Sequence, residues 1–156
     1  MFRRDVLLYA EDDAGFAELF KCALEKGGFK HNIAHVHDGE QAIAYLNGEG
    51  GYADRMKFPL PTVALLDLKM PRVNGFEVLD WIRNKSPFPF LPVVVLTVSD
   101  EIRDINKAYA MGANSFLIKP PSTEDLKNML EMLDRYWFQH EVKAEWQRQQ
   151  AKRPVL

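Results

Sequence analysis

Residues 62–68, Thr62-Val-Ala-Leu-Leu-Asp-Leu68, run almost without interruption through apolar side chains and carry one acid near the end. Val63 to Leu66 leave no polar face, so a strand built from them must be covered on both sides. Val93-Val-Val-Leu96 repeats the pattern, and Val6-Leu-Leu-Tyr-Ala10 comes close to it. Sheets buried on both faces are characteristically parallel, with helices as the crossovers. The chain between these runs should therefore read as helix, and it does.

Ala14 to Lys26 places Phe16, Leu19, Phe20, Ala23 and Leu24 at helical spacing, and Gly27-Gly28 supplies the stop. Asn32 to Val36 reads as another strand, followed by Asp38 as the cap of a helix carrying Ala42, Ile43 and Leu46. Phe76 to Arg83 turns Val78, Leu79 and Ile82 to one face. Asp100 precedes a helix with Ile102, Ile105 and Tyr109, closed by Gly112, and Ser115 to Ile118 forms a short fifth strand. Ser122, with an acid three positions on, opens a last helix with Leu126, Met129, Leu130 and Leu133 on one side. Five strand–helix pairs in strict alternation give an α/β fold: a doubly wound, five-stranded parallel sheet with five helices. Only 47–61 breaks the rhythm. With Gly48, Gly50, Gly51, Pro59 and Pro61 it exceeds the usual connection of about 2–6 residues, so it should hold a turn of its own.

Composition removes several classes. In 156 residues, 47% are apolar and 27% charged, the balance of a globular domain rather than a disordered or collagen-like chain. Apolar runs are strand-sized, too short to span a bilayer, and the Val6–Ala10 run is too short for a secretory signal. Cys22 has no partner for an internal disulfide, which fits a cytoplasmic protein. A net charge of −2 gives no reason to expect nucleic-acid binding.

The strand ends hold the chemistry. The first strand ends in Glu11, Asp12 and Asp13, the third in Asp67, the fourth in Thr97 and the fifth in Lys119. In a parallel sheet these ends share one edge, where α/β proteins place their sites. A single aspartate at a strand end is more often a helix cap or loop residue; the joint placement is what points to a site. Two carboxylates ~5 Å apart repel by about 3 kcal/mol at an effective dielectric near 20, so Glu11, Asp12 and Asp67 call for a cation. An oxygen-rich set suits Mg²⁺. With Lys119 and a Thr97 hydroxyl alongside, the set suits phosphoryl transfer onto Asp67. An enzyme acting on an external substrate would need a further nucleophile or nucleotide loop. No GxxxxGK[ST] loop occurs, and Cys22 sits mid-helix. The four histidines lack paired metal spacing on a helix, and His35 and His37 alternate on a predicted strand. A phosphorylation-independent scaffold of the same fold stays open.

Tyr9-Ala-Glu-Asp-Asp13, Leu65-Leu-Asp-Leu-Lys-Met-Pro71 with Asn74-Gly75, Leu96-Thr97, and Gly112-Ala113 followed by Lys119-Pro120 resemble the receiver domain of two-component response regulators. The resemblance covers about residues 5–135. It implies a flavodoxin-like strand order 2-1-3-4-5, with Asp67 taking a phosphoryl group from a sensor histidine kinase or a phosphotransfer protein. It also implies Mg²⁺ held by Glu11, Asp12 (the direct ligand of the pair), Asp67 and the Lys69 backbone carbonyl. Thr97 and Phe116 become the switch pair, Lys119 the partner of a phosphoryl oxygen, and the Lys119–Pro120 bond cis. Lys69 and Ser99, each two residues past a site residue, should rim the pocket and tune the lifetime of the phosphorylated state. The 47–61 insert is similar to those of stand-alone receivers serving bacterial phytochromes and related hybrid kinases.

These readings divide the chain into a receiver domain, 1–138, and a C-terminal helical extension, 139–156, with no separate output domain. It is expected not to be an enzyme on an external substrate: self-catalysed phosphotransfer and autodephosphorylation would be its only chemistry. Tyr136, Trp137, Phe138 and Trp146 either pack on their own domain or help bury a homodimer through the fourth helix, fifth strand and fifth helix. No membrane and no direct nucleic-acid contact is expected.

Overall fold

Side-chain alternation along the strands splits the core in two. The computed structural model describes residues 5–140. It contains β1 (Val6–Ala10), α1 (Ala14–Gly27), β2 (Asn32–Val36), α2 (Gly39–Asn47), β3 (Val63–Leu66), α3 (Gly75–Asn84), β4 (Val93–Thr97), α4 (Ile102–Ala110), β5 (Ser115–Ile118) and α5 (Thr123–Leu133). All pairings are parallel, in the order β2-β1-β3-β4-β5. Leu8, Ala10, Ala64, Leu66, Val93 and Val95 face α2, α3 and α4, where Tyr45, Leu46, Val78, Leu79, Ile82 and Ala108 meet them. Leu7, Tyr9, Val63, Leu65, Val94 and Leu96 face α1 and α5, packed on Phe16, Phe20, Ala23, Leu126 and Leu130. The expected fold class and strand order are those observed.

Helix starts are set by polar side chains. Asp13 accepts from the Gly15 and Phe16 amides, and Asp38 from Gln41. Each such cap is worth ~1 kcal/mol. The reciprocal capping box sits at Asn74 and Glu77. At Ser122 only half of the expected box forms: the hydroxyl accepts from the Asp125 amide at 3.1 Å. Two further differences bear on the site. The Lys119–Pro120 bond is trans, since no cis peptide occurs among the described residues; trans is the form X–Pro bonds favour by ~0.5–1 kcal/mol. On α4, Ala108 is the one fully buried side chain, and Ile102 and Tyr109 face solvent.

The 47–61 insert does hold its own turn, a 3₁₀ segment at Gly50–Tyr52. Arg55 fixes it by donating to the carbonyls of Tyr45 (2.8 Å), Leu46 (2.7 Å) and Phe58 (3.1 Å). The first two are terminal carbonyls of α2, which have no partner within the helix. Tyr45 donates its hydroxyl to the Pro59 carbonyl at 2.7 Å, and Tyr45, Tyr52 and Phe58 pack ring against ring.

After α5 the helix widens into a π-helical turn, Asp134–His140. Trp137 is buried in the α1/α5 core, and Phe138 stacks on His31 with centroids 4.4 Å apart. Both aromatics therefore pack on their own domain, while Tyr136 is exposed. Trp146 and the rest of the expected extension beyond residue 140 lie outside the described residues. No helix among the described residues is long and apolar enough to cross a membrane.

Arg83 joins three segments below the sheet. Its guanidinium donates to the carbonyls of Pro89 (2.9 Å), Leu91 (2.7 Å) and Gly112 (2.8 and 3.0 Å) and to the Asn114 side chain (3.0 Å). Burial lowers its pKa. Arg83→Ala strands these acceptors, and urea denaturation should show a loss of about 3 kcal/mol. A loss within about 0.5 kcal/mol, the range of ordinary surface changes, would contradict this role.

Candidate functional site

The sheet brings Glu11, Asp12, Asp67 and Lys119 together. Carboxylate oxygens of the three acids all lie within 4.8 Å of one another. Glu11 and Asp67 are buried, at 1% and 5% exposure, whereas Asp12 opens to solvent. Lys119 Nζ lies 2.7 Å from Glu11 Oε1 and 2.9 Å from Asp67 Oδ2, with the Phe16 ring 4.5 Å away. Asp67 is set at this point by its amide, which donates to the Ala10 carbonyl at 3.1 Å. Lys119 follows from its own amide donating to Thr97 at 2.8 Å.

The electrostatics are those of an underneutralised pocket. Burial pushes the Glu11 carboxyl up to about 7; the Lys119 contact pulls it back and Asp67 pushes it further. Burial alone would lower the Lys119 pKa, but the Glu11 and Asp67 carboxylates outweigh it, so the ammonium stays charged. The Tyr9 hydroxyl, buried without a hydrogen-bond partner, is held protonated by burial and by Glu11, Asp67 and Asp13. Three carboxylates against one ammonium, open to solvent at Asp12, form an oxygen donor set that fits a hard divalent cation such as Mg²⁺.

The other expected residues fall around this cluster. Thr97 ends β4 fully buried, with no partner for its hydroxyl. Leaving such a group unpaired costs ~1–3 kcal/mol, so this hydroxyl is a donor in reserve. Lys69 is exposed, and its amide points at Asp67 Oδ1 from 3.4 Å. Ser99 is turned away from the acids: its hydroxyl donates to Asp104 at 2.6 Å in the first turn of α4. Phe116 is half-buried against the α2–α4 core. Asp13 is spent on capping α1.

Several contributors have weak sequence signals. Gly75 lies so near the chain that follows β3 that a Cβ there would sit 2.2 Å from the Asp67 carbonyl oxygen and 2.8 Å from Leu68 Cα. Only glycine lets α3 start here. Arg72, at φ 65°, reaches back to the buried Asp38 at 2.7 Å and ties the loop after Asp67 to the start of α2. His35 donates from Nε2 to the Glu11 carbonyl at 2.9 Å and stacks on Tyr9. Tyr109 accepts the Phe116 amide on its hydroxyl at 3.1 Å. Strand alternation hinted at His35; nothing in the spacing marked Arg72 or Tyr109.

The sequence profile of the response regulator receiver domain matches residues 7–131. The chain belongs to the response regulator receiver family. Among its relatives is the probable methanogenesis regulatory protein FilR2 of Methanothrix harundinacea, 41% identical over 85% of this chain and 83% of that one. Response regulator Rcp1 of Synechocystis is 31% identical over 86% of this chain and 89% of its own, and its Mn²⁺-bound crystal structure superposes with a TM-score of 0.78. The phosphorylated cyanobacterial phytochrome response regulator RcpA, 29% identical, superposes with a TM-score of 0.82 over 92% of this chain and all of that one. This receiver is thus related to phytochrome response regulators.

Glu11 gives the pocket a pH signature. A carboxyl raised from 4.5 to about 7 stabilises the fold fully below pH 4.5, and the contribution is lost as pH rises through 7. Without divalent cations, the parent should lose roughly 3 kcal/mol across that window relative to Glu11→Gln. Parallel stability curves for the two proteins in urea denaturation would rule out Glu11 as the titrating group.

Proposed function

We propose that this receiver takes a phosphoryl group onto Asp67 from the phosphohistidine of a sensor kinase, of phytochrome or hybrid type, or of a histidine phosphotransfer protein. The observation that carries the reading is Lys119 Nζ bridging Glu11 and Asp67 within a three-carboxylate cluster. One Asp67 oxygen attacks phosphorus, the P–N bond breaks, and its electrons return to the donor imidazole, which takes up a proton. Lys119 exchanges its contact with Asp67 Oδ2 for a phosphoryl oxygen. Thr97 turns its unpaired hydroxyl to another. Glu11, Asp12, Asp67 and the Lys69 carbonyl would hold Mg²⁺, which when bound neutralises charge on the phosphoryl oxygens. Hydrolysis of the acyl phosphate returns the carboxylate, so the chemistry is confined to the protein itself.

The switch acts by packing. When Thr97 moves toward the phosphoryl group it vacates space, and Phe116, which has no hydroxyl, turns into it. Tyr109 and β5 then shift together, because the Tyr109 hydroxyl holds the Phe116 amide. Val98, Ile102, Tyr109 and Ile118 expose a large apolar surface around α4 and β5, with Ile102 74% exposed. This face suits a homodimer or a target protein.

Incubation with acetyl phosphate and Mg²⁺ should label the parent on Asp67, and Asp67→Asn should lose all incorporation. Beryllofluoride should shift the parent toward dimer in sedimentation at high micromolar concentration and leave Asp67→Asn unmoved. Labelling that survives in Asp67→Asn would place the acceptor elsewhere.

Lys69 and Ser99 are proposed to set the lifetime of the phosphorylated state. Lys69 shields the acyl phosphate from water; Ser99 fixes the β4–α4 turn through Asp104. Lys69→Ala and Ser99→Ala should each hasten loss of label severalfold. Unchanged decay in both would remove them from this role.

A further inference from the structure

His35 and His37 lie two residues apart at the end of β2, with both side chains exposed. Their ring centroids are 4.3 Å apart with the planes tilted by 47°. Two imidazoles sharing one ion, with N–metal bonds of ~2.0–2.1 Å and an angle of about 90–110°, have centroids roughly 4.5–5.2 Å apart. The pair already stands close to chelating separation.

His35 is also oriented as a ligand. A carbonyl oxygen only accepts, so the contact with Glu11 O at 2.9 Å puts the proton on Nε2 and leaves the lone pair on Nδ1. Histidines that bind metal characteristically donate their other N–H to such a carbonyl. One face of the ring rests on Tyr9, centroids 5.1 Å apart, which limits its rotation. His37 is fixed through its backbone, whose amide donates to Gln41 Oε1 at 2.8 Å at the head of α2. The pair is separate from the Glu11, Asp12 and Asp67 cluster and differs from it in kind. Imidazole nitrogens favour Zn²⁺, Ni²⁺ and Cu²⁺, whereas the carboxylates favour Mg²⁺.

We infer that His35 and His37 form a second cation site, for a borderline transition ion such as Zn²⁺ or Cu²⁺, with solvent completing the coordination. The site touches the acidic pocket through one bond, His35 Nε2–H to the Glu11 carbonyl. A cation on Nδ1 polarises the ring and strengthens that donor, so an ion at the histidines bears on the backbone that carries Glu11.

The test uses the full chain with Mg²⁺ in large excess, so that the oxygen-rich pocket is not the site titrated. Zn²⁺ titration by calorimetry should find one site of micromolar affinity in the parent. His37→Gln, an exposed change, and His35→Gln should each weaken it about tenfold or more. The Cu²⁺ paramagnetic resonance spectrum should show two coupled nitrogens in the parent and one in His37→Gln. The inference is overturned if the parent binds Zn²⁺ only at millimolar concentration. Unchanged affinity in His37→Gln, or loss of the site in Asp12→Asn alone, overturns it equally.

Discussion

The ammonium of Lys119, held between Glu11 and Asp67, is the interaction on which the pocket rests. Burying two carboxylates side by side is unfavourable without a cation, and here the cation comes from the far edge of the sheet. Three strands that are not all neighbours, β1, β3 and β5, are thereby tied at one end. The neutralisation is incomplete, with three carboxylates to one ammonium, and burial followed by the neighbouring Asp67 keeps the Glu11 pKa raised against the pull of Lys119. A pocket that is stable yet short of positive charge is what a hard divalent cation fits.

Around that centre the fold supplies two kinds of support. Close contacts fix the loop that follows Asp67: Arg72 reaches Asp38, and Gly75 packs against the Asp67 carbonyl. Other groups are held less tightly, notably the Thr97 hydroxyl with no partner and Phe116, half-buried on β5. The contrast separates groups that are fixed by their contacts from groups free to change partner.

The two-faced burial of Val63–Leu66 and Val93–Leu96 was legible because periodicity reports directly on which faces are covered. Asp67, Thr97 and Lys119 were legible for a related reason: a parallel sheet sends every strand end to the same edge. What stayed hidden depends on contacts far apart in sequence. Arg55 and Arg83 look like surface cations until the carbonyls they serve are placed beside them. Ser99 looked like a rim residue from its spacing, but a nearer acid, Asp104, takes its hydroxyl. Asp13 seemed part of the acidic set, yet a free helix start claims it first. The trans bond before Pro120 departs from the resemblance, and no local signal bears on it.

The segment between α2 and β3 closes on itself. Arg55 grips the end of α2, Tyr45 holds Pro59, and Gly50 and Gly51 at the tip have nothing within 4 Å of where a side chain would begin. Residues added at that tip would lengthen a bubble whose neck is already tied, without pulling on either flanking element. This part of the chain is thus free to vary in length and chemistry while the strand that leads to Asp67 stays in register, a natural place for one member of a lineage to acquire a surface its cousins lack.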